Sequence, residues 1–114
     1  MLKVLIVEDD RLQHEYYTAT LGGKVEIIPV FSIEVAIIQF ANNPDIAAIV
    51  MDACVSGTEP NTMELVRQFR KKFSGPMIAA SGESLYRKQL IKAGCDYQSE
   101  KLNLPIKLLE ILGF

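Results

Sequence analysis

Five short apolar runs recur along this chain, and helix-like segments separate them. The runs are KVLIV (3–7), VEIIPV (25–30), IAAIVM (46–51), PMIAA (76–80) and a weaker YQS (97–99). Three of them are almost continuously apolar, which is the pattern of parallel strands covered on both faces. Pro29 sits late in the second run and points to an edge position or a strand end there. The intervening segments read as helices. Leu12, Tyr16 and Ala19 are expected to face inward on a helix over 11–21. Ser32 is expected to cap the next helix, with Val35, Ile38 and Ala41 facing inward and Asn42-Asn43-Pro44 ending it. Asn61 and Glu64 have capping-box spacing ahead of Met63, Val66, Phe69 and Phe73. Ser84 is placed to cap a helix through Ala93 that ends at Gly94, and Pro105 to open a last helix running to Leu112.

The order is therefore βα five times over. Right-handed crossovers then dictate an α/β fold, a doubly wound (βα)5 with a five-stranded parallel sheet and helices on both faces. With 114 residues and 49% hydrophobic side chains, one domain spanning 1–114 is expected. The net charge of −2 and a pI near 5.4 argue against direct nucleic-acid binding. Cys54 and Cys95 have neither metal-type spacing nor a disulfide framework, so a reducing compartment is expected. The apolar start reaches Glu8 too soon for a signal peptide or a membrane span. A cytoplasmic protein is the expectation.

In such sheets, functional groups gather at the C-terminal ends of the strands. Glu8 and Asp9 follow the first run, and Asp52 ends the third. Strands one and three are neighbours in the flavodoxin-like order 2-1-3-4-5. Three carboxylates on one rim repel one another, and at least one pKa should rise unless a cation intervenes. Mg²⁺ or another divalent cation suits such a donor set. Ser81 follows the fourth run and Lys101 the fifth. Asp52 as nucleophile, a cation on the acids, Ser81 as a hydrogen-bond donor and Lys101 as an ammonium suit phosphoryl transfer.

These positions resemble the receiver domains of two-component response regulators over the whole chain. The acidic pair is matched by Glu8-Asp9 in LIVEDD, and the phosphorylated aspartate by Asp52 in IVMDA. The hydroxyl is matched by Ser81, and the lysine by Lys101 after AGCDYQSEK. Separations of 43, 29 and 20 residues link Asp9, Asp52, Ser81 and Lys101. The resemblance implies phosphoryl transfer to Asp52 from a phosphohistidine on a sensor histidine kinase or histidine phosphotransfer protein. It implies Mg²⁺ held by Glu8, Asp9, Asp52 and the backbone carbonyl of Cys54. Signalling would then pass through changed protein–protein contacts, with no enzymatic turnover beyond the domain's own phosphorylation and dephosphorylation.

The pattern is broken in three places. The loop after Asp52 is about two residues longer than usual and carries Ser56 where a proline is common. Leu102 replaces the proline that follows the lysine, so a trans bond is expected, with consequences for where Lys101 sits. Gln98 stands where an aromatic switch is common. The neighbouring Tyr97 should face the other side of the sheet, so output would need another route from Ser81. These departures keep open a second reading, a degenerate receiver acting as a phosphorylation-independent interaction module. A haloacid-dehalogenase-type phosphatase is disfavoured because Cys54 stands where its second aspartate is needed. A flavodoxin or dinucleotide site is disfavoured because EDDR follows the first strand in place of a phosphate-binding or Gly-rich loop. His14, the lone histidine, is expected to be solvated, and RQFRKK (67–72) to be a solvated basic helix end.

Overall fold

A computed structural model describes all residues, 1–114. The strands are β1 (Lys3–Val7), β2 (Glu26–Val30), β3 (Ile46–Met51), β4 (Met77–Ala80) and β5 (Tyr97–Ser99). The helices are α1 (Arg11–Leu21), α2 (Ile33–Asn42), α3 (Met63–Arg70), α4 (Ser84–Ala93) and α5 (Leu104–Ile111). The sheet is parallel, in the order β2-β1-β3-β4-β5, which is the flavodoxin-like topology expected from the alternating runs. Pro29 lies on β2, an edge strand, where a missing N–H costs least.

β1, β3 and β4 are buried on both faces because helices cover each side. One core packs Leu5, Val7, Ile49, Met51, Met77 and Ala79 against α3 and α4. The other packs Val4, Ile6, Ala48, Val50, Ile78 and Ala80 against Tyr17 and Leu21 of α1 and Leu104 and Leu108 of α5. Strand alternation therefore sends Glu8, next in phase after Ile6, and Asp52, next after Val50, toward the α1/α5 side.

Helix ends follow local chemistry. Asp10 caps α1 by accepting from the Leu12 N–H at 3.1 Å, and Ser32 caps α2 through the Val35 N–H at 3.2 Å. Gly94 ends α4 with φ of 142°, in close approach to Val66. Pro105 lies in the first turn of α5.

Several side-chain expectations fail. On α1 the buried residues are His14, Tyr17 and Leu21, while Leu12 and Ala19 are exposed and Tyr16 half-buried. The helix is rotated because the His14 ring is held by backbone carbonyls. On α2 only Ala36 is buried, with Ile33 and Phe40 packed partly in; Val35, Ile38 and Ala41 are exposed. That helix is apolar nearly all round, so a stripe cannot fix its inner face. The capping box at Asn61 does not form. Thr62 is the N-cap of α3 without a side-chain bond, and Asn61 clasps the Val55 backbone instead, donating to its carbonyl at 2.6 Å and accepting its N–H at 2.9 Å. Ser84 lies within α4, whose N-cap is Glu83. Within RQFRKK, Arg70 is tied into the fold: it donates to the carbonyls of Phe73, Gly75 and Gly94 and pairs with Asp96 at 2.6 Å. No helix is long and apolar enough to cross a membrane.

Candidate functional site

The C-terminal rim of β1 and β3 carries the acids. The Glu8 N–H donates to the Val30 carbonyl at 2.9 Å, and the Asp52 N–H to the Val7 carbonyl at 3.0 Å. These sheet-like bonds carry the ladder one residue past each strand, so both acids leave from fixed backbone. Glu8 and Asp52 are buried, at 2% and 5% exposure, and Asp9 is half-buried. One carboxylate oxygen from each of the three lies within 4.8 Å of the others.

Lys101 reaches into this cluster. Its Nζ stands 2.8 Å from Glu8 Oε1 and 3.4 Å from Asp52 Oδ1. Glu8 Oε2 accepts the Asp10 N–H at 3.0 Å, and Asp9 Oδ2 accepts the Ser56 N–H at 2.8 Å. The second bond ties the long β3–α3 loop to the acidic pair, at a residue whose φ of 63° is left-handed and not a glycine's. Thr62, fully buried, donates to the Asp52 carbonyl at 2.7 Å and lies 3.2 Å from that of Ala53. The backbone around Asp52 is thus pinned from both sides. Ser81 is buried, and its Oγ accepts the Glu83 N–H at 3.2 Å, which leaves its hydroxyl proton free to donate.

The electrostatics follow. Burial first, and the Glu8 charge second, push the Asp52 carboxyl up to about 7; Lys101 pulls it the other way without cancelling them. Burial alone would lower the Lys101 ammonium, but the hydrogen bond to Glu8 and the charge of Asp52 hold it above its ordinary value. Burial and the Asp52 charge push the Cys54 thiol up, so it stays protonated and is a poor ligand for a hard cation. The Cys54 Sγ instead faces the Thr58 carbonyl at 3.7 Å.

The donor set fits a divalent cation. Three carboxylates against one ammonium leave a formal excess of two negative charges, and every donor is a hard oxygen. Two oxygens on one Mg²⁺ stand at most about 4.2 Å apart. The three donor oxygens already lie within 4.8 Å of one another and draw closer to share such an ion.

Every residue anticipated from the sequence thus lies at or beside this rim. Lys101 is followed by a trans peptide, and no cis bond occurs anywhere in the chain. The Tyr16 hydroxyl donates to the Leu102 carbonyl at 2.7 Å and fastens the turn that carries Lys101. Tyr97 faces α5, with Lys107 Nζ 5.6 Å from its ring centre, and Gln98 faces α4. Sequence reasoning missed four participants. Thr62 and Arg87 act through backbone carbonyls 10 and 6 residues away, which no spacing rule reveals. Tyr17 is buried in the core on the side of the sheet that Glu8 and Asp52 share, where Tyr16 was expected to point inward. His14 is buried, with Nε2 2.6 Å from the Glu8 carbonyl and 3.2 Å from that of Val30; a lone histidine beside an acidic pair was the available signal.

Known structures share this architecture. A two-component response regulator from Clostridium difficile superposes with a TM-score of 0.83 at 19% identity, over 98% of this chain and 96% of its own. The BeF3-activated N-terminal receiver domain of Klebsiella pneumoniae RstA gives 0.79 at 21% identity, over 96% and 94%. Brucella abortus NtrX gives 0.81 at 19% identity, over 96% of this chain and 26% of its own. Neither a protein-family profile nor a curated protein sequence matches the chain. At identities this low the likeness is one of architecture: the chain has the flavodoxin-like fold of response-regulator receiver domains.

Proposed function

We propose that residues 1–114 form one receiver domain that accepts a phosphoryl group on Asp52 from a phosphohistidine of a sensor histidine kinase or histidine phosphotransfer protein. The observation that carries this reading is the convergence of Asp52, Lys101, Glu8 and Asp9 on one rim, with Ser81 just past the end of the adjoining strand. An Asp52 carboxylate oxygen attacks phosphorus and the P–N bond breaks; the phosphohistidine ring, already protonated on its other nitrogen, takes the bonding pair and leaves as neutral imidazole. Lys101, already 3.4 Å from Asp52, is placed to neutralise a phosphoryl oxygen. Ser81 has a free proton to donate to another. Glu8, Asp9 and Asp52, with the Cys54 carbonyl, would hold Mg²⁺, which would supply charge neutralisation for the acids and the transferring group.

Asp52 attacks as a carboxylate, and its raised pKa leaves it partly protonated near neutrality. A bound cation and Lys101 both favour the ionised form. Output then starts at Ser81. Arg87 of α4 donates to the Ser81 carbonyl at 2.7 Å and to the Gln98 side chain at 3.2 Å. A shift at Ser81 would reach the α4–β5 face through that guanidinium, without an aromatic switch.

The test is intact-mass measurement after incubation with acetyl phosphate and Mg²⁺. Wild type should gain one phosphoryl group, and Asp52→Asn none; labelling of both would move the site elsewhere. A second reading, a phosphorylation-independent interaction module, is favoured by the Lys101 bridge between Glu8 and Asp52, which stabilises the unmodified site. It predicts no labelling and no spectral response to beryllofluoride.

A further inference from the structure

Two buried side-chain polar atoms have no protein partner within hydrogen-bond distance, His14 Nδ1 and the Tyr17 hydroxyl. Both lie on α1, the helix that follows Glu8 and Asp9. His14 is accounted for by its Nε2 bonds to the Glu8 and Val30 carbonyls. Tyr17 is not. It is 1% exposed, in the core between the sheet and α1 and α5, on the face toward which Glu8 and Asp52 are directed. Helical side chains lean toward the helix N-terminus, so its ring extends toward the acidic rim. Burial first, and the Glu8 and Asp52 charges after it, oppose its ionisation, so the phenol keeps its proton and remains a donor.

A phenylalanine would fill the same space without burying a hydroxyl that lacks an acceptor, which is an unfavourable arrangement. The acidic pocket holds an excess of acceptors, because three carboxylates share few donors there. Resting on the cation-binding reading above, we propose that Tyr17 is a positioning residue of this site. Its hydroxyl, without an acceptor in the metal-free protein, donates to the Glu8 or Asp52 carboxylate when those groups close around a divalent cation.

Mg²⁺ titration by calorimetry on wild type and Tyr17→Phe tests this, together with thermal melting of both metal-free proteins. Tyr17→Phe should melt at or above wild type without metal, because it removes the buried hydroxyl. Its Mg²⁺ dissociation constant should rise about fivefold, the factor that one hydrogen bond of ordinary net strength carries. In wild type labelled with [¹³Cζ]tyrosine, the Tyr17 signal should move on adding Mg²⁺. The four tyrosines can be assigned by single Phe substitutions at Tyr16, Tyr86 and Tyr97, so this readout stands even if Tyr17→Phe fails to fold. Equal Mg²⁺ affinity in wild type and variant, or a stationary Tyr17 signal while Mg²⁺ binds, overturns the role given to Tyr17 and leaves the metal site standing. Wild type that binds no Mg²⁺ overturns the metal reading itself and this inference with it.

Discussion

The two ends of the site are built on unlike strands. β1 and β3 run through the middle of the sheet, covered on both faces, and present Glu8 and Asp52 from backbone that neighbours pin by hydrogen bonds. β5 is a three-residue edge strand whose Tyr97 and Gln98 are exposed, and Lys101 follows it on a short turn. The chemistry that needs fixed positions stands on the rigid pair. The lysine, which must reach between two acids, stands beyond the exposed edge strand. Rigidity here comes from burial on two faces, and a change in either strand should show that asymmetry.

The largest expected effect is on stability. Leu5→Ala, on β1, should cost about 3 kcal/mol through lost burial and a residual cavity. Tyr97→Ala, on β5, should cost less than about 1 kcal/mol because its ring is 40% exposed. Urea denaturation measures both, and equal losses would show that the edge strand carries as much of the fold as the centre.

Lys101→Met attacks the link between the two ends. Without its ammonium, Glu8 and Asp52 face each other uncompensated in a buried pocket. The variant should lose about 1–2 kcal/mol at pH 8, a figure reduced from that of a fully buried pair because Lys101 keeps 28% side-chain exposure. Labelling by acetyl phosphate should slow about 100-fold. Unchanged labelling would remove Lys101 from the site. The size of the loss depends on pH, since protonating Asp52 relieves the repulsion.

That proton gives a smaller, graded effect. Folding raises the Asp52 pKa from its ordinary 3.8 to about 7. Between these values the unfolded chain has released the proton and the folded chain still holds it. The contribution of Asp52 to the stability of the metal-free protein therefore falls as pH rises through that window, and is flat above it. Asp52→Asn should flatten this part of the profile and be the more stable protein at pH 8. A wild-type profile that matched the variant's across the window would place Asp52 in a solvated setting.

How much of this the sequence disclosed depended on the range of the interaction. Strand positions were legible because each run is apolar for as long as a strand crosses the core, and the bounds of β1, β3, β5 and α1 matched within the runs. The acids, Ser81 and Lys101 were legible because a parallel sheet collects strand ends on one rim. Helix rotation was not. On α1 the burial of His14 depends on the carbonyls of Glu8, just past β1, and of Val30 on β2, and α2 offers apolar residues on every side. The caps at Asn61 and Ser84 failed for the same reason: the long loop gives Asn61 a better partner in Val55 than the helix end does.

The smallest expected effect is the one that separates the two ends most finely. Arg87 is the only side chain hydrogen-bonded both to Ser81 and to Gln98, and both contacts are polar and partly open to water. Arg87→Ala should therefore change stability by less than about 1 kcal/mol. Its consequence lies in coupling. In wild type, beryllofluoride with Mg²⁺ should shift the amide resonances of both Ser81 and Gln98. In Arg87→Ala the shift at Ser81 should persist, because the site is intact, while that at Gln98 should shrink. A Gln98 shift of full size in the variant would mean that β5 senses the site along its own backbone, through the Ser81 N–H to Ser99 carbonyl bond of 3.3 Å. The edge strand would then be part of the rigid frame, and the division between pinned and exposed ends would lie beyond Lys101 instead of before it.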